Sequence, residues 1–421
     1  MSDEIKCLHL ADLHFGVEIY GTTNSQTGLN TRLEDFSRSL EQIIDHALQE
    51  EIDLCVFAGD AYRRHTPSPT QQRELVKHFC RLADEGVPTV MISGNHDIPV
   101  MHGKASSIDI FRSLRPGLFH VYVNQPTWGE NKPPIIETKR GPIAVCCLPY
   151  ISPSFLRSIE SFRNLGREDF LDQCEGFINT VVETMPESLP DDIPRMLVAH
   201  LTVERAKLGG YRGSMLMTDD IQITPANLAN AGYDYVALGH IHHFQNLSPH
   251  EDAPVVYSGS IDRVDFGERD EEKGCVIARI RRGGAEVEFT PIRVRPFIEI
   301  SVETEPGADI TEAIVEEIEA EEIEDAVVRV RFKADDKEIQ HIDMKRIHEA
   351  LKPAYHKAGF IRIPRETSVR RRSLSLSSDI ALSDAMSAYL REHEEWKEDG
   401  DDLLKRAKEI EKTVQSALEN E

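Results

Sequence analysis

Four short motifs and one isolated histidine carry side chains that bind divalent metal ions in proteins. They are Asp12-Leu13-His14, Gly59-Asp60, Gly94-Asn95-His96-Asp97, Gly239-His240-Ile241-His242 and His200. Each of them follows an apolar, strand-like run. Carboxylate, amide and imidazole groups without thiolates suit hard or borderline cations. Two such cations held close together are a device for hydrolysing phosphate esters, so the pattern predicts that chemistry.

The conjunction of the motifs carries this interpretation. A single Asp-x-His pair or a lone histidine is usually structural. A structural explanation would need all five features to coincide in one order, each at the end of a strand-like run. The pattern therefore favours a functional site.

The elements that position these residues alternate between strands and helices. Strands are predicted over residues 5–10, 54–58, 89–92, 196–199 and 235–238. A capping box over residues 31–34 predicts the start of an amphipathic helix, and a second helix is predicted over Pro69–Asp84. This alternation predicts an α/β layered domain in which strand ends deliver the functional loops.

Three segments are predicted along the chain. Residues 1–290 form the first domain, and residues 291–375 form a small α+β module followed by a basic linker. In that module we expect strands over 297–302 and 327–332, an acidic helix over 310–323 and a helix over 342–356. Residues 376–421 are expected to form two helices, the second with a narrow apolar seam of coiled-coil spacing.

Composition sets further limits. The chain has 421 residues, too many for one ordinary core, and a formal net charge of −25. That charge argues against nonspecific nucleic-acid binding, although two bound cations would reverse the local field. No apolar run approaches the length of a membrane span and no secretory signal is visible, so a cytoplasmic protein is expected, nucleoid-associated in a prokaryote.

Cysteines and the remaining histidines are expected to be structural. The seven cysteines include no C-x-x-C pair, which predicts reduced, mostly buried thiols. Histidines in polar helical contexts, such as His46, His78, His341 and His393, are expected to be solvated.

In this order the motifs resemble those of the calcineurin-like metallophosphoesterases. More narrowly, they resemble those of the SbcD-type DNA double-strand-break-repair nucleases. The likeness extends over residues 235–242, 257–261, 265–268 and 273–274. It is specific over residues 1 to about 290 and moderate beyond them. The resemblance implies a four-layer α-β-β-α domain, a small α+β capping domain and C-terminal helices.

The resemblance assigns seven residues to two metal ions that share one carboxylate. One ion would be held by Asp12, His14, Asp60 and His242, and the other by Asp60, Asn95, His200 and His240. A carboxylate can bridge two cations about 3.5–4 Å apart. The family implies manganese, and the donor set leaves magnesium and iron open.

Hydrolysis would begin with attack on phosphorus by a hydroxide between the two metals. His96 is not needed as a ligand in this scheme and is the candidate general acid, with a structural hydrogen bond as the alternative. Asp97 would orient the His96 imidazole and raise its pKa.

Arg63 and Arg64 depart from the family pattern. Members often carry His or Asp at the position of Arg63, in a loop that helps to place the DNA strand. Two arginines there would clamp a phosphate or change which DNA end is accepted. We take both as tentative substrate-binding residues and leave the end preference open.

The resemblance also implies partners. These are DNA, an SbcC-type SMC-like ATPase bound through the C-terminal helices, and a second copy of the chain. The homodimer would form through Pro69–Asp84 and residues 105–114. The apolar seam of the last helix suits an ATPase partner, and docking within the chain is the alternative. The arginines between 362 and 372 either follow a DNA backbone or belong to a solvated linker.

The leading hypothesis is a two-metal DNA nuclease, exonucleolytic from 3′ ends and endonucleolytic on single strands. A phosphatase or small-molecule phosphodiesterase on the same scaffold is the alternative. Many such phosphatases carry a G-D-x-x-D-R pattern, which residues 59–64 break. A noncatalytic scaffold for an ATPase is less favoured because every predicted ligand is present.

Overall fold

Strands and helices alternate through most of the chain, as seen in a computed structural model that describes residues 4–98, 104–204, 206–207, 221–248, 253–365, 402–408 and 410. The described residues fall into two units. The larger contains those up to Phe332 together with Lys337–Arg362, and the smaller contains Lys333–Asp336 and those from Ile363 onward. The predicted boundaries at residues 290 and 375 stay predictions.

The strands are short and mostly buried. They are β1 (Ile5–Leu10), β2 (Leu54–Phe57), β3 (Thr89–Ile92), β4 (Phe119–Tyr122), β5 (Ile135–Thr138), β6 (Gly141–Leu148), β7 (Arg195–His200), β8 (Thr202–Val203), β9 (Gln222–Ile223), β10 (Tyr235–Gly239), β11 (Gln245–Asn246), β12 (Val255–Tyr257), β13 (Gly274–Arg281), β14 (Gly284–Pro291), β15 (Phe297–Val302), β16 (Val327–Ala334) and β17 (His356–Pro364).

Helices cover the sheets. They are α1 (Thr31–Gln49), α2 (Pro69–Asp84), α3 (Pro153–Ser158), α4 (Arg167–Thr184), α5 (Pro225–Ala229), α6 (Ile310–Ala320), α7 (Asp336–Ile339) and α8 (Met344–Ala350), with 3₁₀ turns over Asp109–Ser113, Glu160–Phe162, Met185–Ser188 and Phe266–Glu268.

Two six-stranded sheets form the centre of the larger unit. Their strand orders within the described residues are β14-β13-β1-β2-β3-β4 and β11-β12-β10-β7-β6-β5. Strands β1 to β4 run parallel, as do β6, β7, β10 and β12. The carboxyl ends of these strands therefore meet at one edge of each sheet, where ligand-binding loops gather in α/β folds.

Both faces of each sheet are buried, which produces four layers. Val56 of β2 and Val198 of β7 belong to one apolar cluster between the sheets. Phe57 packs in a second cluster with Phe36 of α1 and Phe79 of α2, and a third cluster joins α4 to the other sheet. Parallel strands covered on both sides consist of continuous apolar runs, so these strands could be predicted from the sequence. The predicted α/β class and the α-β-β-α layering are confirmed.

The start of α1 corrects one prediction. The capping box predicted over residues 31–34 is wrong, because Asn30 caps the helix by accepting from the Arg32 N–H at 2.8 Å. Glu34 instead accepts from the Asn24 amide. Helix α2 spans the predicted range, and its N-terminus carries a capping box between Ser68 and Gln71.

The small α+β module contains the sheet β15-β16-β17, with α6 packed against β15 and α8. The helix predicted over 342–356 is too long. It ends at Ala350, and a strand begins at His356. Arg362 lies in that strand, so the linker prediction is wrong at this position. Arg370, Arg371 and Arg372, and most of the predicted C-terminal helices, lie outside the described residues, whereas residues 402–408 are helical.

Buried polar groups bring two further results. All seven cysteines are free thiols, and six of them are buried, as predicted. His78 was expected to be solvated, but it is buried between α1 and α2 with Nε2 2.7 Å from the Ser37 hydroxyl. His393 lies outside the described residues.

Within the part of the chain that the structure describes, no helix is long and apolar enough to cross a membrane.

Candidate functional site

Loops from both sheets bring the predicted residues together. The loops after β1, β2 and β3 carry Asp12, Asp60 and Asn95, and the other sheet contributes residues at the ends of β7 and β10. His200 pairs in register with Gly239, which places His240 beside it. The packing of the two sheets then brings together residues more than 200 positions apart in sequence, such as His14 and His242.

One group of ligand atoms contains Asp12, His14 and His242, which lie close enough to hold one ion. The Nε2 atoms of His14 and His242 are 2.9 Å apart. His14 Nε2 is 4.0 Å from Asp12 Oδ1. Two imidazole nitrogens aimed at one point need a shared proton or a cation between them, so this group fits a metal ion.

A second group contains Asn95, His200 and His240. The Asn95 side-chain oxygen lies 3.1 Å from His200 Nε2 and 3.1 Å from His240 Nδ1. An amide oxygen and two imidazoles are a suitable donor set for a second divalent ion.

Asp60 lies between the two groups. Its Oδ2 is 3.7 Å from His14 Nε2, and its Oδ1 is 3.7 Å from His200 Nε2. Asp60 is fully buried, and within the described residues Oδ2 has no hydrogen-bond partner. A buried carboxylate oxygen without a donor fits a cation, which supports two metals bridged by Asp60.

The backbone at the site is strained. Four of the predicted ligands have left-handed φ angles, which are 53° at Asp12, 44° at His14, 63° at Asp60 and 105° at His240. Non-glycine residues in this region cost about 1–3 kcal/mol each and cluster at functional sites. The concentration of these angles at the candidate ligands supports a functional site.

Three glycines permit the close approach of the loops. A Cβ at Gly59 would overlap the His200 ring and the Gly94 backbone, one at Gly94 would overlap Asp60, and one at Gly239 would overlap the Ala58 carbonyl. Gly59 also has φ 96°. Any larger residue would separate the ligand loops.

Hydrogen bonds leave the inward nitrogens of two histidines available to a metal. His200 Nδ1–H donates to the Ala58 carbonyl at 2.8 Å, and His242 Nδ1–H donates to Glu268 Oε1 at 2.6 Å. Each Nε2 is then the lone-pair nitrogen. Burial lowers the pKa of His200 to about 4, which keeps it neutral. Burial opposes charge on Asp60, but His200 and His96 outweigh it and lower the pKa of that carboxyl.

Asp97 does not have the predicted role. Its carboxylate accepts the backbone N–H groups of Asp60 at 2.8 Å, Gly94 at 3.0 Å and Ala61 at 3.1 Å. Burial and the charge of Asp60 raise the pKa of Asp97 to about 7. His96 Nδ1 lies 3.0 Å from the Arg63 carbonyl, which orients the ring instead. The prediction that Asp97 orients His96 is therefore wrong.

His96 lies at the edge of the site. Its side chain is 21% exposed, and its Nε2 is 4.0 Å from Asp60 Oδ2. With Nδ1–H donating to the Arg63 carbonyl, Nε2 is the nitrogen that faces the candidate metals. The arrangement suits proton transfer to a bound substrate.

Arg63 and Arg64 are exposed and lie outside the ligand groups. They line an open groove of about 650 Å³ together with His96, Gly16 and the residues that begin α2, Ser68 and Gln71. Two guanidinium groups beside a helix N-terminus favour anions, and they outnumber the one carboxylate of the lining, that of Glu18.

Two contributors were missed by sequence reasoning. Tyr150 follows β6 and stacks on His240, with ring centroids 6.4 Å apart. Glu268 was noted within a family motif, but its contact with His242 depends on tertiary packing. A short Asp-Phe-Gly-Glu segment before an apolar strand gave no indication of a role.

A four-layer α/β fold around a candidate dinuclear metal site is consistent with a metallophosphoesterase. The model of the calcineurin-like phosphoesterase family matches residues 5–244, more than half of the chain. This protein therefore belongs to the calcineurin-like phosphoesterase family. The roles of individual residues as ligands or catalysts stay predictions.

Two solved structures of phosphatases are similar to this chain at low sequence identity. A dimetal phosphatase from Danio rerio has 12% sequence identity and a TM-score of 0.39, with 68% of this chain and 98% of that chain covered. A purple acid phosphatase from yellow lupin (Lupinus luteus) seeds has 12% identity and a TM-score of 0.41, with 69% of this chain and 52% of that chain covered.

Proposed function

We propose that this protein is a two-metal DNA nuclease, acting as a 3′–5′ exonuclease on duplexes and as an endonuclease on single strands. One observation carries the hydrolytic part of the proposal. The two oxygens of the buried Asp60 face two separate groups of metal-binding side chains, at 3.7 Å from each nearest histidine nitrogen.

Two divalent ions, manganese in the first instance, would lower the pKa of a water molecule and neutralise charge on the phosphate. Asp12, His14, Asp60 and His242 would hold one, and Asp60, Asn95, His200 and His240 the other. The protonated Nε2 of His96 would donate to the departing sugar oxygen. The Arg63 carbonyl, at 3.0 Å from Nδ1, accepts the Nδ1–H and orients the ring, so that the imidazolium form of His96 would donate its Nε2 proton and return to the neutral Nδ1–H form.

Preference for a polynucleotide over a small phosphate ester is supported by the groove beside His96. It is open, and Arg63 and Arg64 line it. A strand whose scissile phosphate lies at Asp60 would extend its next phosphates along these guanidinium groups. The likeness of residues 235–242, 257–261 and 265–268 to the SbcD-type nucleases supports the same substrate.

The test is cleavage of end-labelled duplex and single-stranded DNA with Mn²⁺, beside p-nitrophenyl phosphate as a monoester. We expect DNA degradation by the wild type and a loss of about 10²–10⁴-fold in His96→Asn. His341→Asn, an exposed histidine in the small module, is the control and should retain full activity. Hydrolysis of the monoester with intact DNA would instead identify a phosphatase.

We also propose two protein partners for this nuclease. An SbcC-type ATPase would bind the C-terminal segment 376–421, and a second copy of the chain would bind α2 and residues 105–114. Ile110 is 39% exposed in the latter segment, which supports an apolar contact there. Sedimentation of the wild type and Ile110→Asp tests the homodimer, and an unchanged sedimentation coefficient in the variant would contradict this surface.

A further inference from the structure

One loop reaches from the candidate metal site to the small α+β module. It comprises residues 258–273, between β12 and β13, and is called the coupling loop below. Its central turn is the 3₁₀ segment Phe266–Glu268. The turn is closed by the Glu268 N–H, which donates to the Asp265 carbonyl at 3.2 Å, and by the Gly267 N–H, which donates to Asp265 Oδ1 at 2.7 Å.

The end of this turn fixes a predicted metal ligand. Glu268 is buried, and its Oε1 accepts the His242 Nδ1–H at 2.6 Å. Its Oε2 accepts from the Val264 N–H at 3.0 Å and lies 2.8 Å from Lys273 Nζ. Lys273 is also buried and donates to the Ser260 hydroxyl at 2.8 Å. These contacts fix Glu268 within the coupling loop, so the position of the His242 ring follows the position of this loop.

The start of the same turn packs against the small module. Phe266 is buried against Phe297 of β15, with ring centroids 5.0 Å apart, and against Tyr20 at 5.2 Å. The Arg329 guanidinium of β16 lies over the Phe266 ring, 4.0 Å from its centroid. The aromatic cluster Tyr20, Phe266 and Phe297 therefore joins the coupling loop to the module.

We propose that Glu268 is a positioning residue for His242 and that Phe266 makes its position depend on the small module. Only one residue separates Phe266 from Glu268, and the hydrogen bonds of the turn hold the two as one rigid piece. A shift of β15 and β16 would move His242 Nε2 relative to His14. The small module thus sets the affinity of the Asp12, His14 and His242 group for its metal. This inference rests on the proposed two-metal function.

The first experiment measures Mn²⁺ binding by calorimetry on the full chain, with Co²⁺ absorption as a report of ligand geometry. Wild type should bind two ions. Glu268→Gln should weaken the affinity of one of them on the order of 10-fold, as the loss of a partner behind a metal-binding histidine does, and should alter the Co²⁺ spectrum. A purely structural role for Glu268 would lower stability but leave both readouts unchanged.

The second experiment disturbs the module side. Phe297 lies outside the coupling loop. Phe297→Ala should nevertheless weaken the binding of the same metal ion as Phe266→Ala does. Val302→Ala is the matched control, since Val302 is a buried residue of the same strand outside the aromatic cluster. Phe266→Leu and Phe297→Leu replace the alanine variants if those do not fold.

The outcomes separate the two proposals. Wild type that binds no metal would overturn the proposed function and this inference together. Wild type that binds two ions, with Phe297→Ala indistinguishable from Val302→Ala, would overturn the coupling and leave the proposed function in place. Weakened binding in both phenylalanine variants but not in Val302→Ala is the expected result.

Discussion

Asp97 connects two loops of the candidate site through hydrogen bonds to their backbone. Its single carboxylate accepts N–H groups from the loop after β2, at Asp60 and Ala61, and from the loop after β3, at Gly94. The Ser107 hydroxyl is a further donor at 3.2 Å. Because neighbouring residues have strained φ angles, these bonds hold the loops in a conformation that they would otherwise leave.

Replacing Asp97 with Asn tests this role at the residue scale. The amide NH₂ would face backbone donors in place of a carboxylate oxygen, so at least one buried N–H loses its acceptor. We expect Asp97→Asn to lower the free energy of unfolding by about 2 kcal/mol, measured in urea with EDTA present. Asp172→Asn, an exposed carboxylate on α4, is the control and should change stability little. Equal stability of the two variants would contradict the role.

At the scale of elements, α1 and α2 pack together on the outer face of one sheet, with His78 buried between them. Burial lowers the pKa of His78 from 6.5 to about 4. The ring is therefore neutral in the folded protein, and Nε2 pairs with the Ser37 hydroxyl at 2.7 Å. Because His78 is buried as a neutral ring, its protonation at low pH would weaken the contact between these helices.

The pH dependence follows from the sign of this shift. As pH falls, the unfolded chain takes up the proton near pH 6.5 before the folded protein does near pH 4. The stability that His78 contributes is complete above pH 6.5 and is lost between these values. Between pH 7 and pH 5, the free energy of unfolding should fall about 2 kcal/mol more in wild type than in His78→Gln. An exposed control, His341→Gln, should behave like wild type.

At the scale of the whole larger unit, a buried ion network joins the phosphoesterase domain to the small module. Asp35 of α1 accepts from Arg32 at 2.8 Å and from two nitrogens of Arg295 at 2.8 and 2.9 Å. Arg295 lies between the two parts, and its guanidinium also stacks on Tyr355, 3.4 Å from the ring centroid. Burial opposes ionisation of Asp35, but Arg295 and Arg32 outweigh it and lower the pKa of that carboxyl.

Removing the charge of Asp35 should loosen this junction. Asp35→Asn removes a shared carboxylate from two buried guanidinium groups, which keep ion pairs with Asp262 and Asp325, and we expect a loss of about 1.5–3 kcal/mol in the free energy of unfolding. Arg38→Gln is the matched control, because Arg38 bonds the same carboxylate but its side chain is 58% exposed. It should cost about 1 kcal/mol or less. A small loss in Asp35→Asn would show that the network does not secure the module.

Much of the fold was predictable because local signals agreed with the tertiary structure. Apolar runs over β1, β2 and β3 are buried on both faces, so their sequences alone give the strands. The end of α8 at Ala350 was missed although Pro353, a residue that interrupts helices, follows it, and β17 was missed because it forms by pairing with β16. Strand pairing depends on a distant partner and leaves little local trace.

The sequence by itself determined which candidate ligands meet, since the residues that follow apolar parallel strands lie at the same ends of the sheets. Only the tertiary structure decided what supports them. Asp97 follows His96 in sequence but bonds the loop after β2, and Glu268 reaches His242 from a separate loop. The direction of a side chain depends on backbone angles and on packing across two sheets. Neither can be recognised from which residues are neighbours in the sequence.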